Sequence, residues 1–119
     1  MTKTQALFNF FSSFGIPAYP LDAVPEDTVF PWLTYEVSTT GFGTETSINV
    51  HLYYYTSAES TPNAKVEEIA EKIGESGITI PYDKGIIWIK KGTPFSNAPA
   101  DQNDPSIKHR VINLVLEFL

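Results

Sequence analysis

Few side chains in this sequence could carry chemistry. Two histidines, His51 and His109, are the groups able to exchange a proton near neutral pH, and there is no cysteine. Thiolate nucleophiles, thiolate metal sites and disulfides are therefore excluded together. Acid–base or nucleophilic catalysis needs partners within hydrogen-bond reach. His51 falls on the polar side of a strand-like run, and His109 stands between Lys108 and Arg110 at the start of another. Neither is accompanied by a nucleophile or by ligand spacing, so both read as exposed structural residues. A small enzyme or ligand-binding domain would have to rest on His51 facing Glu36 across a hairpin, with no nucleophile, cofactor loop or metal to complete it.

Asp101, Asn103 and Asp104 offer oxygen atoms to a calcium ion. A helix–loop–helix calcium site also needs a central glycine and a closing glutamate in register, and neither is present, so the segment reads as a polar loop tip. Gly41-Phe42-Gly43 lacks the third glycine and the following helix of a dinucleotide-binding loop. No catalytic, cofactor-binding or metal-binding residue is expected, and the chain is not expected to be an enzyme.

The remaining residues must then build a scaffold, and their numbers suit one domain over residues 1–119. Apolar residues make up 42% and aromatic residues 13% of the chain, enough for a real core. The formal charge is −6, with eight Lys plus Arg. Neutralising a phosphate backbone takes clustered cations, so sequence-specific nucleic-acid binding is not expected. Residues 1–14 are interrupted by Asn9, Ser12 and Ser13 and do not read as a secretory signal. No apolar run is long enough to span a bilayer, and the absence of cysteine suits a reducing compartment.

Periodicity supplies the elements. Thr2 or Thr4 caps a helix running to about Phe14, with Ala6, Leu7, Phe10, Phe11 and Phe14 on one face and Gly15 as its stop. Pro17, Pro20, Pro25 and Pro31 predict an extended connector over 16–31, free of helix and sheet. Strands are expected over 32–39 and 47–56, paired as an antiparallel hairpin. A second helix starts at Ser60 or Thr61 with Pro62 at its first position, buries Val66, Ile69, Ala70 and Ile73, and ends at Gly74 or Gly77. Its outer side carries Glu67, Glu71 and Glu75. A short extended piece over 78–80 ends at Pro81, a strand covers 86–91, residues 92–106 form a mobile proline-containing loop, and a last strand covers 107–119. The expectation is an α+β fold: a mainly antiparallel four- to five-stranded sheet with two helices packed on one face.

Alternation leaves Trp32, Tyr53, Tyr55, Ile86, Trp88, Val111 and Val115 on the face opposite the helices, and a chain this short has no third layer to cover them. Contiguous apolar surface marks interfaces, and Tyr and Trp contribute much of their energy. Trp88, Tyr53, Tyr55 and Trp32, with Lys90 beside them, are the expected subunit contact. The loop 93–106, with Phe95, and Phe42 are expected to dock a further partner. Lys90, Lys91, Lys108 and Arg110 would form the one basic patch if the last two long strands pair antiparallel.

Four segments in order, Phe30-Pro31-Trp32-Leu33-Thr34-Tyr35-Glu36-Val37, Asn63-Ala64-Lys65-Val66-Glu67-Glu68-Ile69, Ile86-Ile87-Trp88-Ile89-Lys90-Lys91-Gly92-Thr93-Pro94-Phe95 and Asn113-Leu114-Val115-Leu116-Glu117-Phe118, carry a resemblance across most of the chain. It resembles the tail terminator (tail completion, or minor capsid-type) proteins of long-tailed bacteriophages and prophages of Gram-positive bacteria. The resemblance implies a hexameric ring that caps the finished tail tube and offers a docking surface to the head–tail connector, with the tube and connector proteins as partners. It places the protein in the tail or neck of a virion assembled in the host cytoplasm. An acidic surface facing the channel would let DNA pass without binding. A head-completion adaptor of the connector is the neighbouring alternative.

Overall fold

The computed structural model describes residues 1–37, 43–100 and 104–119. Its elements are α1 (Lys3–Ser12), β1 (Ala18–Pro20), a 3-10 turn (Leu21–Ala23), β2 (Trp32–Tyr35), β3 (Glu45–Tyr55), α2 (Ser60–Ile73), β4 (Ile78–Tyr82), β5 (Gly85–Asn97) and β6 (Ile107–Phe118). They form one curled six-stranded sheet in the order β1-β2-β3-β6-β5-β4. Neighbours are antiparallel except β1 and β2, which run parallel.

This corrects the four- to five-stranded antiparallel expectation, although the α+β class holds. The extra strand is β1, drawn from the connector that its prolines seemed to keep out of the sheet. Proline lacks only the N–H, and on an edge strand the missing donor faces away from the ladder. Pro20 lies in outermost β1, and the Pro17 carbonyl accepts from Leu33 N–H at 2.9 Å. Pro81 likewise sits in β4, the other edge, opposite Ile86.

The second correction concerns 92–97, expected as mobile loop. Strand β5 continues through it by a bulge: Lys91 pairs with Leu114 and Ser96 with Ile112, so the residues between leave the ladder. A bulge admits a proline that a regular ladder would reject. The Pro94 carbonyl there accepts from Asn113 Nδ2 at 2.9 Å.

Helix α1 begins at a reciprocal capping box. Thr2 Oγ1 accepts from Gln5 N–H at 3.2 Å, and Gln5 Oε1 accepts from Thr2 N–H at 2.9 Å. Helix α2 begins differently from expectation, with Glu59 at the N-cap position and no side-chain cap. Pro62 falls third in the helix, still within the first turn, whose N–H groups have no intrahelical partner.

Both helices pack on one face. Leu33, Tyr35, Ile48, Val50, Leu52, Tyr54, Ile87, Ile89, Ile112, Leu114, Leu116 and Phe118 meet Leu7, Phe10, Phe11, Phe14, Ile69 and Ile73 in one buried cluster. Phe11 stacks on Tyr35 at 4.6 Å between ring centres. Each such side chain contributes on the order of 1.5–3 kcal/mol by leaving water. No helix among the described residues is long and apolar enough to cross a membrane.

Candidate functional site

Among the described residues, no helix lies on the opposite face of the sheet. There the pairings Trp32↔Tyr53 and Tyr53↔His109 set aromatic rings side by side across β2, β3 and β6. Trp32 stacks on Tyr53 at 4.4 Å, Tyr53 on His109 at 4.6 Å and His109 on His51 at 5.1 Å, with Tyr19 of β1 completing the row at 6.4 Å from Trp32. Stacks of this kind contribute about 0.5–1.5 kcal/mol beyond burial. At the end of β3, Phe30 packs at 5.7 Å from Tyr55, which stays 60% exposed; neighbouring Val29 is 76% exposed.

The histidines differ from expectation. His109 is buried and His51 half-buried, and His51 Nδ1 lies 2.8 Å from His109 Nε2. One imidazole donates and the other accepts, which ties β3 to β6 at the end of the row. The two residues are 58 positions apart, so only the β3–β6 register could reveal the pair. Glu36, the imagined partner of His51, instead accepts from the Asn49 N–H, and His51 stands opposite Thr34. Among the described residues no three His, Cys, Asp or Glu side chains gather as metal ligands.

Trp88 occupies the far end of the same face and is engaged inside the molecule. Its Nε1 donates to the Ser76 carbonyl at 2.9 Å, and Lys90 Nζ lies 4.4 Å from its ring centre. Lys90 also bridges Glu45 at 2.9 Å and Glu117 at 3.1 Å. The Lys90 hydrogen bond and charge hold Glu45 below the usual carboxylate range, and the Glu45 hydrogen bond raises Lys90 in return.

The expected basic patch does not form, because successive strand residues point to opposite faces. Lys90 belongs to the open face. Arg110 turns to the helix side, where it meets Glu59 and donates from Nε to Asn63 Oδ1 at 3.0 Å; Lys108 joins the same Glu59 at 3.2 Å. The Arg110 hydrogen bond, then that of Lys108, lowers the Glu59 pKa. Lys91 lies 5.5 Å from the ring centre of Phe95.

Of the expected contact residues, Trp32, Tyr53 and Tyr55 come together, and Trp88 and Lys90 share their face at a distance. Phe95 is half-buried and packs against the buried cluster. Phe42 lies outside the described residues, as do Asp101 and Asn103. Sequence reading missed Tyr19, hidden between Pro17 and Pro20, and the paired histidines. No protein-family model, curated protein or solved structure matches this chain.

Proposed function

We propose that the chain is a virion assembly protein of a long-tailed phage or prophage, a ring subunit that caps the tail tube and joins it to the head connector. The resemblance of the four segments supplies the family. The observation carrying the interface is the aromatic row Tyr19-Trp32-Tyr53-His109 with Tyr55 beside it, on the face that no helix covers among the described residues. Such rings are what a subunit contact buries at its centre. A ring contact is heterologous, so it needs two different surfaces on one subunit. The aromatic end of the open face and the Trp88–Lys90 end are two such surfaces on opposite halves of one sheet.

The charge distribution supports the passage of DNA. Four of the eight Lys and Arg side chains, Lys65, Lys90, Lys108 and Arg110, are paired with glutamates of the same chain, the formal charge is −6, and Glu67, Glu71 and Glu75 face solvent. A surface of that kind repels a polyanion rather than retaining it.

Light scattering at low and high concentration, with negative-stain microscopy, tests the reading. Tyr55→Ala is the cleanest variant, since its side chain is exposed and its loss leaves the core untouched. Trp88 is a poorer probe, because its indole also ties down Ser76. Rings that persist unchanged in Tyr55→Ala would remove this residue from the contact. Binding to purified connector but not to tail tube would assign the adaptor role instead.

A further inference from the structure

Seven large apolar side chains stand exposed among the described residues, and four of them, Met1, Phe8, Leu21 and Val37, line two adjoining depressions at one corner. The larger, about 570 Å³, lies between the outer side of α1 and the β1–β2 edge, lined by Met1, Phe8, Pro20 and Tyr35 among others. The smaller, about 240 Å³, is lined by Leu21, Asp22, Glu36 and Val37. Pro20 and Leu21 are chain neighbours, as are Tyr35 and Glu36, so the two depressions lie within reach of one extended segment as the two parts of one groove. This corner is at the end of β2 away from Trp32 and Tyr55, and the proposal made for it holds whether or not the chain forms rings.

Two independent features indicate what the groove accepts. Tyr35 is fully buried beneath the lining, and its hydroxyl has no hydrogen-bond partner. A buried hydroxyl without a partner is a standing penalty, which an acceptor entering from the groove removes once the side chains above it turn aside. The second feature is charge. The described lining holds the carboxylates of Asp22 and Glu36 and no lysine or arginine.

We propose that this groove docks an extended segment of a partner protein that combines apolar side chains with lysine or arginine. The apolar side chains rest on Phe8, Leu21 and Val37, the cation meets Asp22 and Glu36, and a main-chain carbonyl accepts from the Tyr35 hydroxyl. A second copy of this chain is a poorer occupant, since four of its eight Lys and Arg side chains, Lys65, Lys90, Lys108 and Arg110, are bound to its own glutamates and its net charge is −6.

The test is fluorescence anisotropy of the full chain with a labelled short peptide alternating leucine and lysine, beside an equal-length peptide alternating leucine and glutamate. The lysine peptide binds saturably and the glutamate peptide does not. Phe8→Ala and Asp22→Lys, both at exposed positions, each weaken binding about tenfold. Glu71→Lys, the same charge change on the outer side of α2, stays within about twofold of the parent because exposed charges that far off are screened. Tyr35→Phe, which keeps the stack on Phe11, raises the Tm of the free chain and lowers its affinity for the peptide. Equal weakening by Glu71→Lys and Asp22→Lys reveals unspecific charge attraction and overturns the proposal. So does binding of both peptides alike, or of neither.

Discussion

The two faces of the sheet are made from alternate residues of the same strands and end in opposite states. On β6, Ile112, Leu114, Leu116 and Phe118 are buried beneath the helices, while Val111, Asn113, Val115 and Glu117 between them are only half covered. The helix-covered face closes by volume: apolar side chains from α1, α2 and five strands fill it with few polar groups. The open face closes sideways, ring against ring along Trp32, Tyr53 and His109, and leaves Trp32 and Tyr53 half-exposed while His109 is buried. Most of the apolar burial therefore lies on one face, while the other keeps the half-covered rings that the subunit contact proposed above would bury.

Matched truncations would break that comparison most directly. Phe11→Ala removes a ring from the closed face and should destabilise by about 3–5 kcal/mol, because the cavity cannot collapse among packed neighbours. Tyr53→Ala removes a ring of similar size from the open face and should cost about 1–2 kcal/mol, mostly lost stacking. Urea denaturation followed by circular dichroism measures both. Equal losses would mean that the open face is as tightly built as the core, and that its aromatic row needs no partner to explain it.

A step smaller is the join between the two faces at Gly77. Its φ of +83° lies in the left-handed region, and a Cβ there would stand 2.6 Å from both Ile89 O and Trp88 Nε1. Gly77→Ala should therefore lose about 1–3 kcal/mol from backbone strain alone, with displacement of the indole adding to it. A red-shifted, weakened Trp88 emission would accompany the loss, and an unchanged spectrum would mean that the turn does not hold the indole.

Smaller again is the histidine pair. Replacing His51 or His109 singly by Phe leaves the other nitrogen without this bond, whereas the double replacement keeps ring volume and stacking. A double-mutant cycle should give a coupling of about 0.5–1.5 kcal/mol. A coupling near zero would leave the 2.8 Å contact without energetic weight and make the row a stack only.

These pairs also mark how far the sequence could be read. Alternation was sufficient to sort Ile48, Val50, Leu52 and Tyr54 from His51, Tyr53 and Tyr55, because strand side chains have period two and the buried set is strongly apolar. The capping role of Thr2 and the burial of Phe10, Phe11 and Phe14 were equally legible, since each depends on residues within one helical turn. What could not be read were features set by register between distant segments. The facing of His51 and His109, the division of Lys90 from Arg110 and the groove beside Phe8 all depend on which strand lies next to which. Prolines misled for a related reason: Pro17, Pro20, Pro81 and Pro94 argue against a ladder locally, but at an edge or a bulge the missing N–H is not needed.

The smallest expected effects compare two exposed carboxylates, Glu59 on the helix side and Glu45 on the open side. Both are held below the usual carboxylate range, Glu59 chiefly by Arg110 and Glu45 chiefly by Lys90. A carboxylate whose pKa is lower folded than unfolded adds stability that is present above its ordinary pKa and is lost as pH falls through the folded value. Stability should thus decline on acidification below the ordinary carboxylate range of about 4–4.5, and Glu59→Gln and Glu45→Gln should each flatten part of that decline. The two should part under salt. The Arg110 side chain is only 8% exposed, whereas that of Lys90 is 24% exposed, and screening acts more strongly on the pair nearer water. Raising salt at neutral pH should therefore shrink the Glu45→Gln effect more than the Glu59→Gln effect. The reverse order in thermal melts would show that the open-face pair, not the helix-side one, is the better sheltered, and would remove the electrostatic half of the contrast between the faces.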